Sequence, residues 1–233
     1  MRITIKIGSN VLTRKDGSLD VTRMSALVDQ IATLRADGHE IILVSSGAVA
    51  SGRSELKHIQ HDLDSVDQRQ LFSAVGQAKL INRYFELFRE YSIPVGQVLT
   101  TKENFSDSEH RKNQENCMRV MLENGVLPIV NENDTVSVTE LMFTDNDELS
   151  GLIAKMTNSQ MLIILSNIDG VFTGNPDNPE SRLISIVKPG KSLEDYIQAS
   201  KSSAGRGGMK SKSSVAQQTA AAGISVIIAN GKR

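Results

Sequence analysis

The chain has 233 residues, 39% of them apolar, and is long enough to bury a hydrophobic core. Its 26 basic and 27 acidic side chains leave a net charge of −1, which argues against a nucleic-acid protein that depends on phosphate contacts. No apolar run approaches the roughly 18 residues of a membrane span, and charges interrupt the N-terminal segment too early for a signal peptide. We therefore expect a cytoplasmic protein with neither nucleic acid nor membrane as a partner.

Six short runs of apolar, often β-branched residues predict strands along the chain. They cover residues 2–7, 40–45, 93–99, 126–130, 161–166 and 224–229. Most of these runs are apolar at nearly every position, which is typical of parallel strands that are buried on both faces of a sheet.

Helical periodicity fills the segments between the first three strands. Residues 24–34 carry an apolar stripe at helical spacing, and Gly38 follows where a helix-ending glycine is expected. Residues 71–88 carry a second stripe, which follows a candidate capping box formed by Ser65 and Gln68.

Three further helices are predicted in the rest of the chain. One begins at a candidate capping box formed by Ser106 and Glu109 and ends near Gly125. Residues 148–156 and 209–222 predict the other two. This alternation predicts a three-layer α/β/α sandwich with a mainly parallel central sheet and right-handed crossovers.

Two segments depart from the alternation. Residues 134–143 alternate apolar with polar side chains and predict a small hairpin over the sheet edge, while residues 173–192 predict a loop rich in proline and glycine. No repeat and no flexible linker divides the chain. We expect one domain over residues 1–233.

Ligands of an open parallel sheet bind beyond the carboxyl ends of its strands. The first strand ends at Lys6 and Gly8, where a buried ammonium needs an anion and glycine permits close approach of the backbone. The second ends at Ser46 and Gly47, a strand-to-helix turn whose free N–H groups suit a carboxylate or phosphate. A structural carboxylate beside Lys6 and a simple helix cap at Ser46 are the alternatives.

Two acidic clusters follow, at residues 131–134 (Asn-Glu-Asn-Asp) and 144–147 (Thr-Asp-Asn-Asp). Acids are favourable at a helix N-terminus, so capping is an alternative for Asp145 and Asp147. Two clusters joined by a predicted hairpin nevertheless exceed what capping requires.

Residues 205–212 (GRGGMKSK) precede the last predicted helix and offer backbone amides and lysines to a phosphate. They are not a Walker A loop, and no G-x-G-x-x-G follows the first strand. The four histidines have no metal-ligand spacing, and Cys117 is expected in the core, so we assign no protein metal site.

Taken in order, these clusters resemble the amino acid kinase family over almost the whole chain. The segments that carry the resemblance are residues 6–9, 44–48, 74–77, 129–134, 145–147 and 207–212. The Asn-Glu-Asn-Asp segment followed by Asp-Asn-Asp is specific to family members that phosphorylate glutamate. The resemblance implies the family's α/β/α fold and ATP-dependent phosphorylation of the γ-carboxylate of L-glutamate, the first step of proline biosynthesis, with Mg²⁺ bound to ATP.

The resemblance also implies roles for individual residues. Lys6 and Lys212 are expected to contact the transferred phosphoryl group, and Asp147 to orient both lysines. The residues expected to hold glutamate are Ser46, Gly47, Asn131, Asp134 and Asn146, with Asp134 at the α-ammonium group. The residues expected to bind the nucleotide are Lys6, Gly8, Ser166, Asn167, Arg206, Gly207, Gly208, Met209, Lys210, Ser211 and Lys212.

The sequence departs from the family pattern in two places. Ser166 and Asn167 stand where the family usually has Thr-Asp, and the chain ends at Arg233, before the last expected strand segment. We expect the glutamate site in the N-terminal two-thirds, the nucleotide site in the C-terminal third, and no C-terminal PUA domain. The resemblance also implies a homo-oligomer, dimer or tetramer, and proline as a candidate feedback inhibitor.

The sequence leaves two other functions open. A sibling kinase would act on acetylglutamate, aspartate or a nucleoside monophosphate, and Asp134 and Asn146 argue against it. A non-catalytic sensor would bind ATP or an amino acid, and the joint presence of Lys6, Asp147 and Lys212 argues against that role.

Overall fold

The structure is a computed structural model that describes residues 1–57, 63–137, 143, 145–188, 193 and 208–233. Within this part of the chain, six parallel strands form one sheet in the order β3-β4-β2-β1-β5-β6. The strands are β1 (Arg2–Ile7), β2 (Glu40–Ser45), β3 (Val95–Thr100), β4 (Leu127–Glu132), β5 (Met161–Ser166) and β6 (Ser225–Asn230). The predicted bounds of β1, β2 and β5 are confirmed, and the other three strands begin and end one or two residues later than predicted.

Helices cover both faces of the sheet. They are α1 (Ser9–Leu12), α2 (Val21–Ala36), α3 (Ala48–Glu55), α4 (Ser65–Arg89), α5 (Glu103–Ser106), α6 (Ser108–Glu123), α7 (Asn146–Met156) and α8 (Met209–Ala221). On one face, Ile3, Ile5 and Ile7 of β1 share a core with α2 and α4. On the other face, Ile42 and Val44 of β2 share a core with α6 and α7. The predicted three-layer α/β/α sandwich is confirmed.

The two predicted capping boxes are wrong, because aspartates cap both helices. The carboxylate of Asp64 accepts hydrogen bonds from the first turn of α4, so Ser65 is already inside that helix. Asp107 caps α6 in the same way, and Ser106 belongs to the separate turn α5. Cys117, which we expected in the core, is exposed on α6.

Two of the predicted irregular segments are only partly described. Of the hairpin predicted over residues 134–143, residues 138–142 lie outside the described part of the chain. Residues 173–188 form the described part of the loop predicted over residues 173–192. An antiparallel bridge pairs Leu183 of this loop with Phe172.

Helices α3 and α4 cross with their backbones in direct contact, because glycines lie at the crossing. A Cβ atom at Gly76 would overlap the carbonyl oxygen of Ala48, and one at Gly52 would overlap that of Phe72. This crossing holds the start of α3, and with it the turn at Gly47, against the carboxyl edge of the sheet.

We expect Gly76→Ala to lower the free energy of unfolding by about 1–3 kcal/mol, because the added methyl group has no space and cores tolerate overpacking poorly. Alanine is intrinsically the better helix former by roughly 0.5–1 kcal/mol, so a net loss must come from the crossing. Urea unfolding measures the change. Ala78→Ser, on the exposed side of α4, is the control and should be nearly neutral. A Gly76→Ala protein as stable as wild type would contradict the close crossing.

Candidate active site

The carboxyl ends of the strands border a cavity of about 1170 Å³. Eleven of the residues predicted to form the site line this one cavity: Lys6, Gly8, Ser46, Gly47, Asn131, Asp134, Asn146, Asp147, Ser166, Asn167 and Lys212. They come from the ends of β1, β2, β4 and β5 and from the starts of α7 and α8. The parallel sheet therefore brings together side chains that are up to 206 residues apart, counted from Lys6 to Lys212.

Lys6, Asp147 and Lys212 form a buried ion-pair cluster, here called the lysine cluster. Lys6 Nζ lies 2.6 Å from one carboxylate oxygen of Asp147, and Lys212 Nζ lies 2.8 Å from the other. All three side chains are at least nine-tenths buried. Burial alone would raise the pKa of Asp147, but the two ammonium groups outweigh it and hold that pKa below its usual value. The cluster therefore contains one carboxylate and two ammonium groups, a net charge of +1.

Local structure explains how Asp147 reaches the lysines. Strand alternation places Ile5 and Ile7 toward α2 and α4, which turns Lys6 to the opposite face, where α7 packs. Asp145 caps α7 by accepting hydrogen bonds from the N–H groups of Asp147 and Glu148 at 2.9 and 3.0 Å. The capping alternative is therefore right for Asp145 and wrong for Asp147, whose carboxylate is engaged by the lysines.

Asp145 also connects α7 to α8. Its second carboxylate oxygen accepts a hydrogen bond from Ser211 Oγ at 2.6 Å. The hydroxyl of Ser211, which we expected at the nucleotide, thus contacts the start of α7. Since Lys212 is the next residue, this hydrogen bond helps to hold its ammonium group beside Asp147.

A chain of side-chain amides crosses the middle of the site. Asn146 Nδ2 donates to Ser46 Oγ at 2.8 Å and to Asn131 Oδ1 at 2.9 Å. Asn131 Nδ2 in turn donates to Gln77 Oε1 at 2.8 Å. These bonds hold the ends of β2 and β4 and the start of α7 at a fixed spacing.

Two glycines bring backbone to the cavity. Gly47 is the N-cap of α3 and has a φ of +105°, a left-handed conformation that favours glycine. Gly8 is extended, and a Cβ there would lie 3.4 Å from Lys6 Nζ and 3.3 Å from the carbonyl oxygen of Leu165. A side chain at Gly8 would therefore crowd the lysine cluster.

Arg69, Glu132 and Asp134 form a second ion-pair cluster on the cavity wall, here called the Arg69 cluster. Arg69 Nε donates to Asp134 Oδ1 at 2.7 Å, and Arg69 Nη2 donates to Glu132 Oε2 at 2.9 Å and also to Asp134 Oδ1. Burial raises the pKa of both carboxyl groups, and for Glu132 the adjacent Asp134 raises it further, while Arg69 opposes the shift at both. With two carboxylates and one guanidinium, this cluster has a net charge of −1.

Sequence reasoning missed Arg69 altogether and did not single out Glu132. The partners of Arg69 lie 63 and 65 residues further along the chain, and no local motif surrounds it. Glu132 lies inside the Asn-Glu-Asn-Asp segment, so its place at the end of an apolar strand was the available signal.

The predicted nucleotide residues are only partly brought together. Ser166 ends β5 and lines the cavity with Asn167, but within the described residues of α8 it is Lys212 that reaches the cavity wall. Gly208 is the N-cap of α8, Met209 is its first residue and Lys210 is exposed. Arg206 and Gly207 lie outside the described residues.

Within the described ranges, no three His, Cys, Asp or Glu side chains are grouped so that they could hold a metal ion. The helices of the same ranges include none that is long and apolar enough to cross a membrane. The cavity contains two ion-pair clusters of opposite charge with hydrogen-bonding amides between them, and its wall also includes the basic residues Arg14, Lys15, Arg53, Lys57 and Lys232.

Two known proteins are similar to this chain over nearly its whole length. Glutamate 5-kinase of Bacteroides thetaiotaomicron is 72% identical over 232 residues, a match that covers 100% of this chain and 64% of that protein. Glutamate 5-kinase of Chlorobaculum tepidum is 47% identical over 232 residues, which cover 99% of this chain and 63% of that protein. The chain thus spans slightly less than two thirds of the length of these relatives.

Solved structures support the fold. Carbamate kinase from Giardia lamblia bound to AMP-PNP matches with a TM-score of 0.70 at 17% sequence identity, covering 99% of this chain and 92% of that one. The amino acid kinase family itself matches residues 1–230. Because the family model matches nearly the whole chain, and solved structures share its fold, this chain belongs to the amino acid kinase family.

Proposed function

We propose that this protein phosphorylates the γ-carboxylate of L-glutamate with ATP, forming γ-glutamyl phosphate and ADP, as the first step of proline biosynthesis. The observation that carries the proposal is the lysine cluster: two ammonium groups are held on one buried carboxylate at the edge where ligands of such sheets bind. The names of the two relatives support glutamate as the substrate.

The chemistry suits the side chains at hand. A glutamate γ-carboxylate has a reference pKa near ~4.3 and is already an ionised nucleophile at neutral pH, so no general base is required. One of its oxygens attacks the γ-phosphorus of ATP, the bond from that phosphorus to the bridging oxygen breaks, and ADP leaves in line. Lys6 and Lys212 stabilise the charge that spreads over the phosphoryl oxygens, and Asp147 holds them in place beforehand.

The two clusters also give the substrate a direction. In this proposal the γ-carboxylate lies near Gly47 and the lysine cluster, and the α-ammonium group lies at Asp134. Asn146 and Asn131 lie between the two ends, and Ser46 faces the substrate from the turn after β2. The γ-carboxylate thus meets the cluster with a charge of +1, and the α-ammonium group meets the cluster with a charge of −1.

The nucleotide is assigned to the C-terminal third of the same domain. Gly8, Ser166, Asn167 and Lys212 line that part of the cavity, and we assign residues 206–211 to the phosphates as well. Mg²⁺ would arrive with ATP, since it commonly binds nucleotide phosphates, keeps several waters and needs few protein ligands. Its role would be to neutralise the β- and γ-phosphates. The carboxylate of Asp145 already accepts hydrogen bonds and that of Asp147 already forms ion pairs, which agrees with a Mg²⁺ ion carried by the nucleotide.

Assembly and regulation are also part of the proposal. We expect a homo-oligomer, dimer or tetramer, and inhibition by proline, a small amino acid that carries the same charged α-groups as glutamate. Light scattering tests the first, and the assay described next, repeated with added proline, tests the second.

The proposed reaction predicts which acceptors react. With ATP, Mg²⁺ and hydroxylamine, L-glutamate should yield a hydroxamate, because hydroxylamine traps an acyl phosphate, while aspartate and acetylglutamate should yield little. Colorimetric detection of the hydroxamate measures the product. Product from another acceptor and none from glutamate would favour a sibling kinase, and no product from any acceptor together with ATP binding would favour a sensor.

Loss of a lysine should separate catalysis from binding. Lys212→Ala should lower kcat by roughly a hundredfold or more, the scale of removing one preorganised electrostatic contact, with little change in the glutamate KM. Lys210→Ala is the comparison, and we expect a smaller loss of kcat there, because Lys210 is exposed and lies two residues away on α8. Steady-state kinetics with varied glutamate measure both parameters. The reverse ranking of the two variants would show that the roles have been assigned to the wrong lysine.

Loss of Asp134 should affect glutamate rather than ATP. Removing one partner of a desolvated charge pair costs about 3–5 kcal/mol, so Asp134→Ala should raise the glutamate KM by a factor of about a hundred or more. The KM for ATP should stay within about twofold, because Asp134 lies in the part of the cavity that we assign to glutamate. An unchanged glutamate KM would mean that Asp134 serves only Arg69.

A further inference from the structure

Among the described residues, the Arg69 cluster pairs two carboxylates with one guanidinium, so one negative charge is not balanced within the cluster. Glu132 Oε1 accepts hydrogen bonds from the N–H of Phe143 at 3.0 Å and from Ser137 Oγ at 3.3 Å. A neutral glutamine could accept both bonds, so these contacts do not explain a carboxylate. The charge of Glu132 instead meets Arg69, which is already bound to Asp134.

The excess charge is largely buried. The side chains of Arg69, Glu132 and Asp134 are 17, 4 and 8% exposed, and all three residues line the cavity. A buried carboxylate without a full counter-charge is unfavourable, and a cationic group that enters the cavity would remove that cost. Both Arg69 donors that reach Asp134 meet Oδ1, so Arg69 leaves Oδ2 to other partners.

We infer that Glu132 and Arg69 are positioning residues that set the charge and the orientation of Asp134, and that they thereby make the site select ligands with a free α-ammonium group. This inference rests on the proposed function for the identity of the ligand. Arg69 fixes Oδ1 of Asp134, and Glu132 balances the charge of Arg69, so that the cluster keeps a net negative charge for the ligand.

Substitutions at Glu132 and at Arg69 change the net charge of the cluster in opposite directions. With Glu132 neutralised, Arg69 and Asp134 would form a balanced pair, and the cluster would no longer favour a cation. With Arg69 neutralised, two carboxylates would share one site, which would repel anionic ligands and leave Asp134 without its anchor. The two substitutions should therefore have opposite effects on a ligand that lacks the amine.

The experiment compares L-glutamate with glutarate, which has the same two carboxylates and lacks the α-amine. Calorimetric titration gives the Kd of each ligand for wild type, Glu132→Gln, Arg69→Gln and Arg69→Lys. Arg83→Gln is the matched control, because Arg83 lies on the same helix, its side chain is 38% exposed and it pairs with Glu86 of its own helix.

Wild type should bind glutamate at least tenfold more tightly than glutarate. Glu132→Gln should weaken glutamate at least tenfold and leave glutarate unchanged or tighter, so that the preference disappears. Arg69→Gln should weaken both ligands, and Arg69→Lys should recover glutarate binding. Arg83→Gln should change neither Kd by more than about twofold.

Because the two ligands are compared within each variant, partial unfolding cannot imitate the expected result. Equal weakening of both ligands by Glu132→Gln, or no weakening of glutamate, would overturn the inference. So would a wild type that does not prefer glutamate. If Glu132→Gln does not fold, Arg69→Gln decides by itself, since unchanged glutarate binding there would contradict the role of charge.

The inference and the proposed function can fail separately. If the wild type prefers glutamate to glutarate and the Glu132→Gln variant does not, the inference is retained. If the same wild type yields no hydroxamate, the proposed kinase activity is refuted. If the wild type yields the hydroxamate and the Glu132→Gln variant still prefers glutamate to glutarate, the proposed function is retained and the inference is refuted.

Discussion

The site depends on the burial of one carboxylate, Asp147, between two ammonium groups. Lys6 belongs to the central strand β1 and Lys212 to α8 near the other end of the chain, so the cluster joins three elements that are distant in sequence. Asp147 without the lysines would be a lone buried charge, and the lysines without Asp147 would repel each other; both states are costly. The packing of α7 against β1 and α8 is therefore inseparable from the charge at the end of the cavity.

The Arg69 cluster has the opposite imbalance, and the amide chain keeps the two clusters apart. Asn131 precedes Glu132 directly and Asn146 precedes Asp147 directly, and the two asparagines are hydrogen-bonded at 2.9 Å. One neutral contact thus links the backbone segments that carry the two clusters. Since the amides are satisfied by each other and by Ser46 and Gln77, they hold this spacing without adding charge.

The sheet was predictable because its strands are apolar on both faces, and the rule for parallel sheets then placed Lys6, Ser46 and Asn131 on one edge. The helix starts were less predictable, because an aspartate beside a serine competes for the same N–H groups and local sequence does not show which side chain accepts them. Arg69 was beyond reach for a different reason. It is one of several basic residues on α4, and only the folded sheet shows which of them faces β4.

Opposite imbalances at the two ends have a consequence that neither cluster has alone. Far from the cavity, the fields of charges of +1 and −1 largely cancel, and salt screens what remains. Close to the site, each group of a ligand interacts mainly with one cluster. The cavity can therefore hold an anion and a cation at once, each beside the cluster of opposite charge. Because the two clusters together add no net charge, the composition of the chain gives no sign of either of them. In the proposed function, selection among amino acids then depends on the distance between the clusters, which the contact between Asn131 and Asn146 helps to set.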